Sequence, residues 1–475
     1  MKKSLLILSA ALLATISAFG AAKDNAVYAK YGDLEIQNLW ILDRMHASDD
    51  YAASPIANTA DRTAILYNGT VYVASSAADD PTVTETGTDG KVVNTFCGTV
   101  HKYDAKTGAY LGAVKLMLNG ERYKGQLCAN SIGVDNYGHL WIAPYTTASA
   151  VEFNIYSFDP ETGVMTSQGL LSKGTGTSRI DYVDVVGDIT RTQNKCTVVA
   201  PGASTSFIFG WTADKGGEWG GLFAGDIAVA PQSFFPASTT QWNTAPCAKI
   251  IIGADDNAYS ADNFYIDGNA QTPTIYDQTP EIIASFDGVA ADITPDVTTN
   301  GVCEFALDGK NFIAYSISQY NKTPGCQFNI CELGEGMSIT TMKKCWTLPE
   351  SGHGETSDGG TRIHSLCREF GTDAQGNQYV DILSYKNFNG MGVYRIGKNL
   401  SSGVESNVAD NNVAITVNGG VIAVSAEASE IAIFNVAGQL VAKVNNASEI
   451  AAPAAGAYIV KATVAGAPVV KKVVL

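Results

Sequence analysis

The stretch IGVDNYGHLWIAPYTT (residues 132–147), followed by FNIYSFDPETGVMTSQGLL (residues 153–171), contains the pattern that decides the fold. It predicts a strand, a turn built on Asp and Gly, a second strand, a third strand, an acidic-x-x-Gly turn and a fourth strand. Asp and Asn favour such turns because their side chains bond their own backbone, and Gly supplies the positive φ that a hairpin requires. The stretch therefore predicts one four-stranded antiparallel unit.

The same pattern recurs along the chain. FGTDAQGNQYVDILSY (residues 370–385) aligns with the first copy without gaps. The aligned pairs are Gly133 with Gly371, Asp135 with Asp373, Gly138 with Gly376, and Ile142 with Val380. Looser copies begin near residues 63, 182, 250 and 303. Four strands per unit, at a spacing of roughly 50 to 70 residues, are the signature of β-propeller blades with insertions.

These units predict an all-β fold with six or seven blades. The number stays open because residues 202–246 do not align well with any copy. Stacked β-sandwiches with similar hairpins are the alternative. The copy D-x-x-G-x-L-W-I-A resembles blades of the gluconolactonase-like and NHL-type propellers, a likeness that implies fold alone because the motif mainly encodes a turn.

Composition agrees with this fold and excludes some functions. Only 16% of the 475 residues are charged and 47 are Gly, whereas roughly 25% charged residues is usual. The net charge is −16. A chain this acidic repels phosphate backbones and anionic lipid, so no nucleic-acid partner is predicted.

The first 22 residues, MKKSLLILSAALLATISAFGAA, predict a signal peptide. Two lysines precede an apolar run, and small residues follow it, as in cleavable export signals. The run is shorter than the roughly 20 apolar residues of a membrane span. We therefore expect export, with no transmembrane segment after the signal is removed.

The C-terminal end differs from the rest in composition. Residues 408–475 carry four Lys and four acidic residues, whereas residues 23–407 carry 25 basic and 43 acidic residues, a net charge of −18. Short runs of alternating apolar and polar residues, separated by Gly turns, predict a small antiparallel β-sandwich. The predicted domains are a signal peptide (1–22), a β-propeller (23–402) and a C-terminal sandwich (403–475).

A resemblance to a known family arises in this tail. The strings IAIFNVAGQLVAKV (431–444), GAYIVKATVAG (456–466) and VKKVVL (470–475) look like the C-terminal sorting domain of the Bacteroidota type IX secretion system. The residues in the matching motif are Gly438, Gly456, Tyr458, Lys461, Lys471 and Lys472. The resemblance implies recognition by outer-membrane secretion machinery and a secreted or cell-surface location, reached through the periplasm.

Three arginines precede the first hairpins of three units: Arg62, Arg179 and Arg362. Inner strands of a propeller begin at one mouth of its channel, so these guanidiniums are candidates for a clamp on an anionic ligand such as an acidic sugar. The alternative is pairing with neighbouring acids, namely Asp61, Asp181 and Glu369. Trp211 and Trp219 are candidates for stacking on sugar rings, or else for filling gaps between blades.

The main catalytic candidates lie in SGHGETSDGGTRIHSL (residues 351–366), and RMHASDDY (residues 44–51) is a second loop of this kind. His353 and His364 lie in the first loop beside carboxylates, which suits an acid/base pair, although such Gly-rich loops are commonly just exposed. No metal-binding motif is present. The acidic pairs at residues 49–50, 79–80 and 255–256 offer oxygen ligands for Ca²⁺, but solvated turns explain them more simply. No cofactor is assigned.

Nine cysteines lie in the middle domain. Disulfides are permitted in an exported protein, and Cys326 with Cys331 is the most plausible local bridge, whereas other cysteines suit core positions. The predicted function is a secreted or surface β-propeller that binds a glycan or a partner protein. The alternatives are a propeller hydrolase or lyase acting on an anionic saccharide or lactone, and a purely structural surface protein.

Overall fold

A computed structural model describes residues 27–57, 61–78, 80, 82–86, 88, 91–173, 179–203, 208–221, 249–252, 264–267, 274–276, 282–284, 286, 289, 293, 301–317, 323–356, 364–373, 375–400, 415–418, 420–435, 440–454, 457–464 and 467–474. The chain divides into two compact units, Met1–Lys398 and Asn399–Leu475. The predicted signal peptide and the predicted boundary at residues 402–403 lie outside the described residues.

The first unit begins with two strands and a short helix: β1 (Val27–Tyr31), β2 (Leu34–Asp43) and α1 (Ser48–Ala53). Blade 1 follows, with a side hairpin between its second and third strands: β3 (Asp61–Tyr67), β4 (Thr70–Ala77), β5 (Thr84–Thr86), β6 (Val92–Asn94), β7 (Cys97–Asp104) and β8 (Tyr110–Lys115). Blade 2 comprises β9 (Met117–Leu118), β10 (Glu121–Arg122), β11 (Ser131–Val134), β12 (Leu140–Ala143), β13 (Glu152–Phe158) and β14 (Val164–Ser172).

Blades 3 to 5 continue in the same antiparallel order. Blade 3 comprises β15 (Arg179–Ile180), β16 (Asp184–Gly187), β17 (Cys196–Ala203), β18 (Ile208–Ala213) and β19 (Gly220–Gly221). Blade 4 comprises β20 (Lys249–Ile252), β21 (Phe264–Asp267), β22 (Thr274–Tyr276) and β23 (Ile282–Ala284). Blade 5 comprises β24 (Val302–Leu307), β25 (Lys310–Ser316), β26 (Phe328–Gly334), a 3₁₀ turn (Glu335–Met337) and β27 (Ser338–Leu348).

Blade 6 joins the two ends of the first unit. Its inner strands are β28 (His364–Thr372), β29 (Gln378–Lys386) and β30 (Gly390–Lys398). The N-terminal strand β2 pairs antiparallel with β30, from Leu34 opposite Lys398 to Asp43 opposite Gly390. The prediction of an all-β propeller is therefore confirmed, with six blades among the described residues.

The repeated Asp encodes the turn between the first two strands of a blade. In blade 2, the Oδ1 of Asp135 accepts the backbone N–H groups of Tyr137 and His139, each at 2.8 Å. In blade 6, the Oδ1 of Asp373 accepts the two corresponding N–H groups, also at 2.8 Å. The aligned sequences therefore build the same turn because one carboxylate satisfies two loop donors.

The repeated Gly makes room for an aromatic ring on the neighbouring strand. Gly133 lies opposite Trp141, and a Cβ on this glycine would lie 2.1 Å from the Trp141 Cζ2. Gly371 lies opposite Tyr379, and its Cβ would lie 2.3 Å from the Tyr379 Cζ. Each ring thus covers backbone that a larger residue would block, which explains why Gly recurs at this strand position.

Apolar side chains of neighbouring blades pack against each other. Between blades 2 and 3, for example, Phe153 and Ile155 form one cluster with Val198 and Phe209. Such clusters bury the apolar faces of the sheets. We expect this burial of apolar surface to make the dominant contribution to the stability of the fold. No helix in the described part of the chain is both long and apolar enough to cross a membrane.

The second unit is one antiparallel sheet. Its five strands are β31 (Ile415–Asn418), β32 (Val421–Asn435), β33 (Leu440–Ala451), β34 (Ala457–Val464) and β35 (Ala467–Val474). The long strand β32 pairs with β31, β33 and β34, and β35 pairs with β34. Alternating residues of these strands, including Ile431, Ile433 and Val460, are buried in a single core.

Candidate functional site

The innermost strands of five blades line a central cavity of about 210 Å³. The strands are β3, β11, β16, β24 and β28, and the adjacent Trp141 on β12 also contributes. The side chains with polar or sulfur atoms that line the cavity are Trp141, Asp184, Cys303, Glu304, Cys367 and Arg368. The rest of the lining is mainly apolar: Ile65, Leu66, Ile132, Val134, Val185 and Leu366. A concave site in which a few polar groups converge among apolar side chains is the usual geometry of a small-ligand pocket.

Trp141, one of the residues that line this cavity, carries a buried N–H donor with no acceptor among the described residues. The residue is only 3% exposed, and its Nε1 is buried without a hydrogen-bond partner. Its ring lies against Gly133, so the indole is held in place by the glycine of the repeat. Buried indole N–H groups normally find an acceptor. This one has no acceptor among the described residues and is also shielded from solvent.

An ion pair lines the same cavity between blades 5 and 6. The Arg368 Nη2 lies 3.2 Å from the Glu304 Oε1, and the Arg368 Nε donates to the Glu304 backbone oxygen. The sequence had instead suggested Glu369 as an acidic neighbour for pairing; that carboxylate accepts the backbone N–H of Gly69 in blade 1, at 3.0 Å. Arg368 thus balances the charge of Glu304 at the cavity wall.

The predicted arginine mouth is a hydrogen-bonded network that joins blades 1 to 3. Arg62, buried at the start of β3, donates from Nε to the Asn130 Oδ1 at 3.0 Å. Asn130 in turn donates from Nδ2 to the Asp181 backbone oxygen. Arg179 binds the Asp181 carboxylate through two bonds of 2.9 Å. Burial raises the pKa of Asp181, and the bonds from Arg179 oppose that rise.

These contacts bear on whether Arg62 and Arg179 form a clamp for an anionic ligand or pair with groups of the protein. Arg179 pairs with its neighbour Asp181, as the structural alternative expected. Arg62 binds Asn130 of the next blade. Arg362 lies outside the described residues. Both described guanidiniums therefore already have protein acceptors, which leaves them less suited to clamp an anion.

The candidate base His353 is fully buried and lies within hydrogen-bond distance of two other side chains, those of Asp43 and Ser384. Its Nδ1 lies 2.9 Å from the Asp43 Oδ2, and its Nε2 lies 2.9 Å from the Ser384 Oγ. All three residues are 0% exposed. Burial alone would raise the pKa of Asp43, but hydrogen bonds from His353 and His46 hold it below its ordinary value.

The Gly-rich loop around His353 is docked against blade 6. Gly354 adopts φ +151°, and a Cβ there would lie 2.6 Å from the Asn389 Oδ1. Asn389 accepts the Thr356 N–H and donates to the Thr356 oxygen, at 2.9 and 3.0 Å. His364 begins β28, where it pairs with Lys386. The described residues 352–354 of the loop are therefore buried, whereas Ser351 and Glu355 are exposed.

The two candidate tryptophans occupy different environments. Trp211 is 3% exposed, donates from Nε1 to the Ser172 oxygen at 2.8 Å and stacks with Phe209. Trp219 is partly exposed, and the Arg191 guanidinium carbon lies 4.5 Å over its ring. Trp211 therefore fills the gap between blades 2 and 3, whereas Trp219 lies at the surface with a cation over one face.

One cluster of described residues has the composition of a metal site: Asp135, His139 and Asp188. Its carboxylate oxygens already accept hydrogen bonds from groups of the protein. The Asp135 Oδ2 accepts the Ile189 N–H at 2.8 Å and lies 2.9 Å from the His139 Nδ1. In blade 6, Asn377 at the position of His139 donates to Asp373 in the same way. At this position of the repeat, both blades therefore place a side-chain nitrogen against the turn aspartate.

Cysteines and acidic pairs show no ligand geometry in the described residues. None of the eight described cysteines is in a disulfide, so Cys326 and Cys331 do not form the suggested bridge. Cys247 lies outside the described residues. Of the acidic pairs, Asp80 binds Lys115 at 2.7 Å and Asp49 lies in the first turn of α1, while Asp79 and residues 255–256 lie outside.

The sorting-tail residues that the structure describes lie on β34 and β35. The Tyr458 hydroxyl donates to the Ala454 oxygen at 2.9 Å. The Lys471 Nζ donates to the Ile415 oxygen at 2.7 Å, which links the last strand to the first strand of the unit. Lys461 is exposed, and Lys472 lies opposite Ile459 in the sheet. Gly438 and Gly456 lie outside the described residues.

Solved structures of propeller proteins are similar to this chain at low identity. A DUF4623 family protein from Bacteroides eggerthii is 10% identical, over 80% of this chain and 77% of that chain, with a TM-score of 0.46. The Aleuria aurantia lectin, described as a six-bladed β-propeller, is 9% identical over 71% and 95%, with a TM-score of 0.34. A Trypanosoma rangeli sialidase is 7% identical over 87% and 83%, with a TM-score of 0.33.

These likenesses carry no argument about ligand or activity. No family model matches the chain, and no curated protein is significantly similar to it. Sequence reasoning missed Trp141, Glu304 and Arg191 as site residues. The signal for Trp141 was present, because it stands at the position of Tyr379 in the aligned repeat and faces the same glycine. The sequence around Glu304 and Arg191 contains no pattern that distinguishes these side chains from ordinary surface charges.

Proposed function

We propose that this protein is an exported binding protein whose central cavity accepts a small polar ligand such as one saccharide ring. The single observation that carries the proposal is the Trp141 indole, which lines the cavity with a buried N–H that has no acceptor. Leaving such a donor unsatisfied costs about 1–3 kcal/mol. A ligand hydroxyl or carbonyl oxygen that displaces the side chains covering Nε1 recovers that free energy on binding.

Size and charge narrow the ligand class. The cavity of about 210 Å³ is smaller than the roughly 300–1,000 Å³ of sites for drug-sized molecules. A single ring or a short polar group fits such a volume. Arg368 balances Glu304, and Arg62 and Arg179 are bound to Asn130 and Asp181. Asp184 adds a second carboxylate to the lining, where Arg368 is the one described arginine, so the lining favours an uncharged polar ligand over the anionic saccharide first considered.

Export and surface location form the other half of the proposal. They rest on the N-terminal signal pattern of residues 1–22 and on the resemblance of the tail to type IX sorting domains. On this basis the tail directs the propeller to the outer membrane, where the protein binds its ligand at the cell surface or in the medium. The partner of the tail is the outer-membrane secretion machinery.

The test compares two tryptophan variants across a panel of neutral mono- and disaccharides. Trp141→Phe keeps an aromatic ring over Gly133 but removes the N–H. Trp346→Phe is the matched control, because Trp346 is also buried, at 4% exposure, has an unpartnered Nε1 and lies off the cavity. Calorimetry should show roughly a 2- to 10-fold loss of affinity for Trp141→Phe, the equivalent of one net hydrogen bond.

The control variant should bind like the unaltered protein. Equal affinity of both variants for every ligand found, or no binding across the panel, would overturn the proposal. Loss of binding in both variants would also contradict it, because only Trp141 lines the cavity. Urea unfolding of each variant separates lost binding from lost folding.

A hydrolase is the second candidate, since Asp43, His353 and Ser384 have the contacts of an acid–base–nucleophile set. Such a set activates serine only where a substrate carbonyl reaches the hydroxyl. Ser384 is 0% exposed and lies within β29. A fluorophosphonate probe tests this candidate: labelling of Ser384 in the folded protein would support a hydrolase, and labelling only after unfolding would exclude it.

A further inference from the structure

Arg191 differs from the other arginines that the structure describes. Among the described residues its guanidinium has no hydrogen-bond acceptor, and its Nη1 is shielded from solvent. Each of the others donates to an oxygen of the protein: Arg44, Arg62, Arg122, Arg179, Arg368 and Arg395. Arg191 is partly exposed. An incoming group with oxygen acceptors can therefore reach it.

The guanidinium is held in one place by its surroundings. Its Cζ lies 4.5 Å over the Trp219 ring, a cation–π contact. The Arg191 backbone has φ +54°, donates to the Asp188 oxygen and accepts from Gly216, both at 2.9 Å. A non-glycine residue in this left-handed conformation is strained, and such strain persists only where surrounding contacts fix it.

Trp219 is fixed in turn. Its Nε1 donates to the Gln168 oxygen of blade 2 at 2.9 Å. Gly169, at φ +108°, leaves room for the indole, because a Cβ there would lie 3.1 Å from the Trp219 Cδ1. Both partners of the cation–π pair are thus positioned before any ligand arrives, which reduces the entropy lost on binding.

Asp188, three residues before Arg191 in the same loop, has its carboxylate oxygens occupied. The Oδ1 of Asp188 accepts the hydroxyl and backbone N–H of Thr190, and its Oδ2 accepts the Gln193 N–H at 2.6 Å. These bonds close the loop between β16 and β17, on which Arg191 lies. The Asp188 oxygens therefore accept hydrogen bonds from the loop itself. The Arg191 guanidinium remains available to pair with another carboxylate.

An exposed aromatic ring is tied to the same loop. Tyr137 is 39% exposed, and its hydroxyl accepts a hydrogen bond from the Asn194 Nδ2 at 2.8 Å. A fixed aromatic face combined with planar polar side chains suits the apolar face and hydroxyls of a sugar ring. Arg179 precedes β16 in the chain, and Arg191 follows it. The surface around Arg191 and Trp219 therefore lies at the opposite end of blade 3 from the arginine mouth.

From these contacts we infer that the surface formed by Arg191, Trp219 and Tyr137 binds the carboxylate of an acidic saccharide. The carboxylate pairs with the guanidinium, and the sugar ring lies toward Tyr137. This site is separate from the central cavity and goes beyond the proposed function. Because the contact is ionic and close to the surface, binding weakens as ionic strength rises.

The experiment uses the full-length protein and two forms of one polymer. Polygalacturonate and its fully methyl-esterified form share a backbone and differ in charge. Surface plasmon resonance should show binding to the acidic form and at least tenfold weaker binding to the ester. Arg191→Gln should reduce affinity for the acid at least tenfold, and Arg191→Lys should fall between, because lysine keeps the charge but not the fork.

Arg44→Gln is the matched control. Arg44 is also exposed and lies 5.1 Å over an aromatic ring, that of Tyr51, but its Nε donates to the Phe388 oxygen. This variant should bind polygalacturonate within twofold of the unaltered protein. Trp141→Phe should also leave this binding unchanged, which separates this site from the central cavity.

Three results would overturn the inference. Equal binding of acid and ester would exclude carboxylate recognition. Unchanged affinity of a folded Arg191→Gln protein would remove Arg191 from the site. Equal binding of polyglutamate, with the same loss in Arg191→Gln, would assign the surface to acidic protein segments rather than saccharides. Thermal unfolding of each variant establishes that the comparison is between folded proteins.

Discussion

The Nδ1 of His353 lies 2.9 Å from the Oδ2 of Asp43, although 310 residues separate them in sequence. Asp43 ends the N-terminal strand β2, and His353 lies in the loop that enters blade 6. Their bond joins the closing strand to the last blade at the point where β2 pairs with β30. A buried side-chain contact therefore supports ring closure in addition to the backbone ladder.

Asp43→Asn should destabilise the propeller, with a loss that depends on pH. Asparagine removes the carboxylate that accepts buried hydrogen bonds from His353 and His46, a change that costs about 1–3 kcal/mol. The pKa of Asp43 lies below its ordinary value, so the unfolded state takes up a proton first. Its contribution is present in full above roughly pH 4 and is lost as pH falls through the lower, folded-state pKa.

Urea unfolding at pH 7 and pH 3 measures this effect. The difference between Asp43→Asn and the unaltered protein should be large at pH 7 and smaller at pH 3. Asp214→Asn, at an exposed loop position, should change stability little at either pH. A difference for Asp43→Asn that stays constant with pH would contradict this assignment.

Gly133→Ala and Gly371→Ala should each destabilise the fold. The new methyl groups would lie 2.1 and 2.3 Å from the rings of Trp141 and Tyr379, and overpacking of this kind costs about 1–3 kcal/mol. Only Gly133→Ala moves a ring that lines the cavity, so only this variant should also weaken saccharide binding. Calorimetry on both proteins checks the distinction, and equal binding by both would count against it.

Cys345 should be unreactive in the folded protein although it is partly exposed. Burial raises its pKa to about 12, so at pH 8 its thiolate is on the order of a thousandfold scarcer than for an ordinary thiol. Iodoacetamide labelling followed by mass spectrometry should modify Cys345 only after unfolding. Rapid labelling of the native protein would show that the thiol is not held in this environment.

Removal of residues 403–475 should block delivery to the surface or the medium in a cell that has type IX secretion. The propeller unit has its own cores between blades, so the truncated protein should fold and remain in the periplasm. Cell fractionation and immunoblotting measure the distribution. Undiminished delivery of the truncated chain to the surface or the medium would contradict the assignment of the tail as a sorting domain.

Much of the blade architecture could be predicted from the sequence because its determinants are local. Asp135 and Asp373 bond donors within four residues, and Gly133 faces a ring on the next strand. Such contacts repeat with the chain and so appear as a periodic pattern. The all-β fold and the blade repeats followed directly from them.

The site could not be read in the same way because its contacts are long-range. Arg62 binds Asn130 rather than Asp61, and Arg368 binds Glu304 rather than Glu369. Each acceptor belongs to a neighbouring blade, which sequence adjacency does not reveal. The placement of β2 in blade 6 was missed for the same reason, since ring closure joins the two ends of the unit.

The most direct test of the central claim is the ¹⁵N–¹H resonance of the Trp141 indole during titration with a neutral saccharide that binds. Comparison with the Trp141→Phe protein identifies the signal. The account predicts that this resonance moves downfield with saturation, as a new hydrogen bond forms, while the Trp346 and Trp211 resonances stay in place. A saturable titration that leaves the Trp141 signal unmoved would place the ligand elsewhere and contradict binding in the central cavity.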